Sequence, residues 1–159
     1  MAPKNSRLVS TTILAGLTAA VLEFLPALIV QGARGASPLQ LLQSIASGVQ
    51  GEDAYDGGVA SGVLGATLFL MISLVAAGVF VLASRRWPIL IDRYISAGLL
   101  YGLLCYAVTN FVMVPHTAVA LAPATAWSLV SQSIAVQLVS VGLPIAVMTR
   151  LATLRARWS

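Results

Sequence analysis

Charge is the scarcest commodity in this chain. Only 9% of its 159 residues are Asp, Glu, Lys or Arg, against about 25% in a soluble domain, too little polar surface to clothe a water-facing globule. Histidine and cysteine occur once each, as His116 and Cys105. That excludes an internal disulfide, a bis-histidine haem site and a zinc site of the usual kind. Five acids are present, and only Glu23 falls inside an apolar run, so a pump with titratable groups in series is poorly served. No glycine-rich phosphate loop follows a strand, since no segment reads as a strand.

Hydrophobic residues make up 58% of the sequence, with a mean hydropathy of +0.92. A bilayer core about 30 Å thick takes roughly 20 apolar residues of helix. Residues 8–31, 57–84, 94–114 and 125–149 each meet that length. The expected fold is an all-α integral membrane protein, a bundle of four transmembrane helices forming one membrane domain over 1–159. The first run is longer than the 7–15 residues of a signal-peptide core, which favours a retained span.

The basic residues divide unevenly. Lys4, Arg7, Arg85, Arg86, Arg93, Arg150, Arg155 and Arg157 share one side, and Arg34 stands on the other with Glu52, Asp53 and Asp56. Lys and Arg stay cytoplasmic during insertion, so both termini are expected in the cytoplasm, with the inner membrane of a bacterium as the location. The net charge of +4 is then a record of topology, and no nucleic-acid partner is needed to explain it. Trp87, Trp127 and Trp158 fit interfacial anchors.

Between the first two spans, SPLQLLQSIASGVQ places Leu39, Leu42, Ile45, Ala46 and Val49 on one helical face. Ser37 can cap it, Pro38 suits its first turn, and Gln40 can close a capping box. Too short to span, this helix over 37–50 is expected at the outer interface or dipping back among the spans. The second span then carries Gly57, Gly58, Gly62 and Gly65, and the third Gly98 and Gly102. Small residues at four-residue steps let helices approach closely, with a partner inside the chain or beyond it.

The order of GARGASPLQLLQSIASG, a Gly-rich second span, and YGLLCYAVTNFVMVP in the third resembles a family of small uncharacterised four-span bacterial inner-membrane proteins. The likeness covers roughly residues 12–120, with Tyr101, Gly102, Asn110, Val114 and Pro115 as markers. It implies the topology and carries no activity. Family members often have a histidine in the second span where this chain has Phe69, and an apolar residue where it has His116. A role resting on that second-span histidine would be absent here.

Glu23 is the residue that asks for an explanation. It lies about 4 Å past the middle of the first span at 1.5 Å per residue, where a charge costs roughly 2.5–3.5 kcal/mol to insert. Pro26, three residues on, removes the bond that would reach the Leu22 carbonyl and marks a helix kink; Pro144 marks another, expected at the inner end of the fourth span. The pairing suits a structural clasp to a polar group on a facing helix, or a proton or cation relay. Candidate partners are Asn110, Gln132 and Gln137, and depth favours Gln137. His116 at the outer end of the third span is a candidate axial ligand to a metal or pigment, or a headgroup-level hydrogen bonder. The sequence requires no cofactor, although bound lipid is expected. The favoured function is a non-catalytic accessory or structural subunit, with other membrane subunits or its own copies as partners in the bilayer. The alternative is a small transporter or channel using Glu23; a weaker one is a lipid-acting enzyme using His116 and the outer acids.

Overall fold

A computed structural model describes residues 4–33, 35–113 and 127–157. The described residues are almost all helical, with no strand among them, and four helices are long and apolar enough to cross a membrane. The protein is therefore an all-α membrane protein. Helix α1 (Lys4–Ala33) forms the first span with Pro26 inside it. A short α2 (Pro38–Gln50) and a 3-10 turn (Gly51–Tyr55) lead into α3 (Gly58–Arg86), the second span. A single turn, α4 (Ile89–Asp92), precedes α5 (Tyr94–Val108), which continues as a π-helix over Thr109–Met113 to complete the third span. The fourth joins α6 (Trp127–Gln137) to α7 (Leu143–Arg157) through a π-helical segment, Leu138–Gly142.

Helix α1 packs on α3 and on the fourth span, and the fourth span packs on α5. Small side chains make these contacts. On α1 the buried stripe is Ala15, Gly16, Ala19 and Ala20; a Cβ on Gly16 would lie 3.0 Å from the Leu74 Cα of α3. Ala77 and Phe80 of α3, with Val141, Ile145 and Ala146 of the fourth span, complete the core. Large aliphatics point outward instead, among them Leu25, Ile29, Val75, Leu100 and Phe111. That inversion of the soluble pattern is what a lipid solvent selects, because hydrocarbon solvates Leu as well as another helix does.

The closest crossing lies between spans three and four. A Cβ on Gly98 would stand 2.9 Å from the Gly142 carbonyl oxygen, and one on Gly102 2.7 Å from the Leu138 Cα. Gly142 reciprocates, with the Gly98 carbonyl and the Gly102 backbone in its place for a side chain. The side between α3 and α5 is closed by long side chains: the Phe80 and Tyr101 rings meet edge-on with centroids 5.1 Å apart.

Helix α2 is built by the caps its sequence carries. The Gln40 backbone N–H donates to Ser37 Oγ at 3.2 Å, and the Ser37 N–H to Gln40 Oε1 at 2.8 Å. Its apolar face is laid on α3: Leu39 fills the space above Gly62, and the Leu42 carbonyl sits where a Gly65 side chain would be. Gly65 is seven residues into α3, about 10 Å at the helical rise, so α2 lies along the first two turns of the second span. The Gln43 amide donates to the carbonyls of Tyr55 at 3.3 Å and Gly58 at 3.1 Å, and Ser61 Oγ donates to Gln50 Oε1 at 2.8 Å. Gly57 and Gly58 do not join this packing stripe. A Cβ on Gly57 would meet chiefly its own helix's Ser61, and Gly58 has φ +54° with nothing within 4 Å; both serve the turn into α3.

Gly142→Ala and Gly65→Ala are each expected to destabilise the fold by about 1–3 kcal/mol, since rigid backbone has to move. Gly32→Ala, with open space around it, should be neutral or slightly stabilising. Reversible unfolding in mixed micelles measures all three.

Candidate intramembrane polar site

Glu23 stands on the same α1 stripe as Ala15 and Ala19, one four-residue step beyond Ala19, and is half-buried. Its carboxyl lies within hydrogen-bonding reach of the side chain of Gln137, the last residue of α6. Cys105 of α5 lies within electrostatic reach of the carboxyl, and its thiol is near the side chain of Tyr101, one turn earlier. The Tyr101 hydroxyl donates to the Ala76 carbonyl of α3 at 2.6 Å, which leaves its oxygen to accept from the thiol. An acid from α1, an amide from the fourth span, and a thiol and a phenol from α5 thus lie together, and α3 supplies the Ala76 backbone carbonyl. The Phe24 ring, next to Glu23, meets Phe69 of α3 with centroids 5.8 Å apart and adds apolar contact beside the acid.

Local architecture explains the convergence. Gly98, Tyr101, Gly102 and Cys105 are spaced three and four apart, so the α5 face that approaches the fourth span also carries the polar groups. In the fourth span Gln137 directly precedes the π-helical segment. One added residue turns a helix face by about 100°. The wide turn therefore resets which residues face inward, carrying both Gln137 above it and Gly142 below it toward the bundle.

The remaining sequence candidates lie elsewhere. Gln132 is exposed, away from Glu23. The Asn110 amide donates to the Tyr106 carbonyl of its own helix at 3.0 Å, within the π-helical end of the third span. Pro26 sits one turn beyond Glu23 inside a continuous helix. Pro144 lies near the middle of the fourth span, not its inner end, immediately after the π-helical segment; a π-bulge and a proline are the two usual causes of a bend. His116 falls outside the described residues. Among the described residues no three His, Cys, Asp or Glu side chains come close enough to hold a metal.

Tyr101, Cys105 and Gly142 are members of the site that sequence reasoning missed. The aromatic and the thiol read as packing residues until their neighbours are known. The 98–101–102–105 spacing and the Ala15–Ala19–Glu23 stripe were the signals that could have shown them. A scan against protein-family models and searches of curated proteins and solved structures find no match for this chain, so the site speaks through its own chemistry.

Interhelical hydrogen bonds in membranes are worth about 0.6 kcal/mol on average, with a ceiling near 2. Glu23→Gln, which keeps a partner for Gln137, should cost less than about 0.5 kcal/mol. Glu23→Leu and Gln137→Leu should each cost more, and the double variant less than their sum, because the second change removes nothing further. Unfolding free energies across that cycle test the clasp.

Proposed function

We propose that the protein is a non-catalytic multi-span subunit of the bacterial inner membrane that packs beside a larger membrane assembly, with its arginine-bearing face toward the cytoplasm. The chemistry at the polar site supports this reading. Glu23 is answered by a neutral amide, and the chain of groups beyond it stops at the Ala76 carbonyl. A dead-ended set of one carboxyl, one amide, one thiol and one phenol joins helices; it does not pass protons from face to face. The sidedness rests on the basic residues at one end, and the resemblance to four-span bacterial inner-membrane proteins points the same way.

The observation that carries the subunit role is the third span. Only 11% of its apolar window is buried, against 33% in the fourth. The glycine faces are already occupied, Gly62 and Gly65 by α2 and Gly98 and Gly102 by the fourth span. A neighbouring subunit would meet the aliphatic and aromatic side chains of α5, such as Leu104 at 56% and Phe111 at 76% exposure. A photo-crosslinking residue placed at Leu104 or Phe111 in native membranes should capture one second protein in stoichiometric yield; adducts to lipid alone would defeat the proposal.

A transporter or channel using Glu23 is the second reading, favoured by the approach of Gln137 from the fourth span and Cys105 from the third to that residue. It requires reconstituted ion or solute flux that falls at least tenfold in Glu23→Gln, and flux unaltered by the substitution removes it.

A further inference from the structure

The two ends of the bundle differ in charge and in how that charge is held. Arg85, Arg86, Arg93, Arg150 and Arg155 all lie at the end where α3 finishes and α5 begins, and Asp92 is the only acid there. Of the other four acids, Glu23 is within α1 and Glu52, Asp53 and Asp56 lie at the opposite end. A topology signal needs basic residues near the span ends and nothing more. This end shows more than that. The Arg150 guanidinium lies over the Tyr94 ring at 4.1 Å from its centroid, and Tyr94 is itself packed against the core cluster. Arg93, exposed, is the next residue and caps the start of α5. Helix α4 touches both α5 and α7, so three elements meet here.

We propose that Arg93, Tyr94 and Arg150 form a seat for the phosphate headgroup of an anionic phospholipid. A guanidinium held over an aromatic ring can still offer N–H groups to phosphate oxygens, since the ring face takes up none of its hydrogen-bond donors to oxygen. Arg93 supplies a second cation. The acyl chains have a matching surface, since Trp87 at 57% and Ile89 at 58% exposure present apolar side chains beside the seat. Basic clusters between membrane helices near the headgroup level take anionic lipids on these grounds. The site is distinct from the Glu23 cluster, and it stands whether or not the chain has a protein partner.

The protein in detergent, given an equimolar mixture of phosphatidylglycerol and phosphatidylcholine, is the material for the test, with retained lipid counted by native mass spectrometry. Phosphatidylglycerol should be retained preferentially. Arg93→Gln should lower that preference roughly fivefold, and Arg93→Gln with Arg150→Gln roughly twenty-fivefold, from the usual contribution of each basic residue near an anionic surface. Glu52→Gln at the opposite end should leave it unchanged. Equal retention of the two lipids by the parent protein overturns the proposal, as does full preference in the double variant. Displacement of the lipid by excess inorganic phosphate would also overturn it, since the seat would then recognise the free anion. Should the double variant fail to fold, Arg93→Gln alone decides, its side chain being exposed.

Discussion

Helices dissolved in hydrocarbon gain nothing by hiding leucine from one another, so this bundle stands on places where backbones touch. The decisive one is the crossing of Gly98 and Gly102 with Gly142. Dispersion between atoms in contact is small per pair and large in sum, and it falls away over fractions of an ångström. A methyl group at any of the three would hold the helices apart along their length. The polar site depends on the same crossing. Tyr101 and Cys105 share a face with the two α5 glycines, and Gln137 reaches Glu23 from the residue before the π-helical segment that delivers Gly142. Moving that crossing outward would strip the carboxyl of its neighbours.

Glu23 and the glycines solve opposite halves of one problem. Close approach gives the bundle cohesion without much direction, because aligned small residues can slide or rotate past one another. A carboxyl held by one particular amide fixes depth and rotation together, since any other register leaves a polar group unanswered in hydrocarbon. The modest worth of such a bond is therefore no measure of its role: its contribution lies in the alternatives it disfavours. The same division appears at the start of α3, where Gly65 admits the α2 backbone and Gln43 and Gln50 set its position.

What was legible in the sequence follows from which forces are local. Span length and hydropathy are local, so the four crossings stood in plain view. The capping residues Ser37, Pro38 and Gln40 are local too, and α2 begins where they place it. Gln137 could be matched to Glu23 by counting residues from the span ends, since depth is nearly linear in sequence. Rotation about a helix axis is not. The π-helical segment at Leu138–Gly142 shifts the phase of the fourth span, and no residue pattern announced it. Gln132, a candidate partner that depth already placed second to Gln137, is exposed. The glycine stripes were visible, but their occupant was not: whether α2 or another chain covers Gly62 and Gly65 is decided by the shape of the whole.

The ends of the bundle complete the asymmetry. At the end where α3 begins, α2 and its 3-10 turn fold over α3, with Glu52, Asp53 and Asp56 exposed on the turn. At the other end the connection is one helical turn, and the arginines around it face no matching number of acids. A protein with nine basic residues and five acids could have spread them to neutralise locally; segregation leaves one end cationic by necessity. Charge that is not balanced within the chain must be balanced by what surrounds it. At headgroup level those surroundings are phosphates, so the cationic end is also the end best placed to meet them.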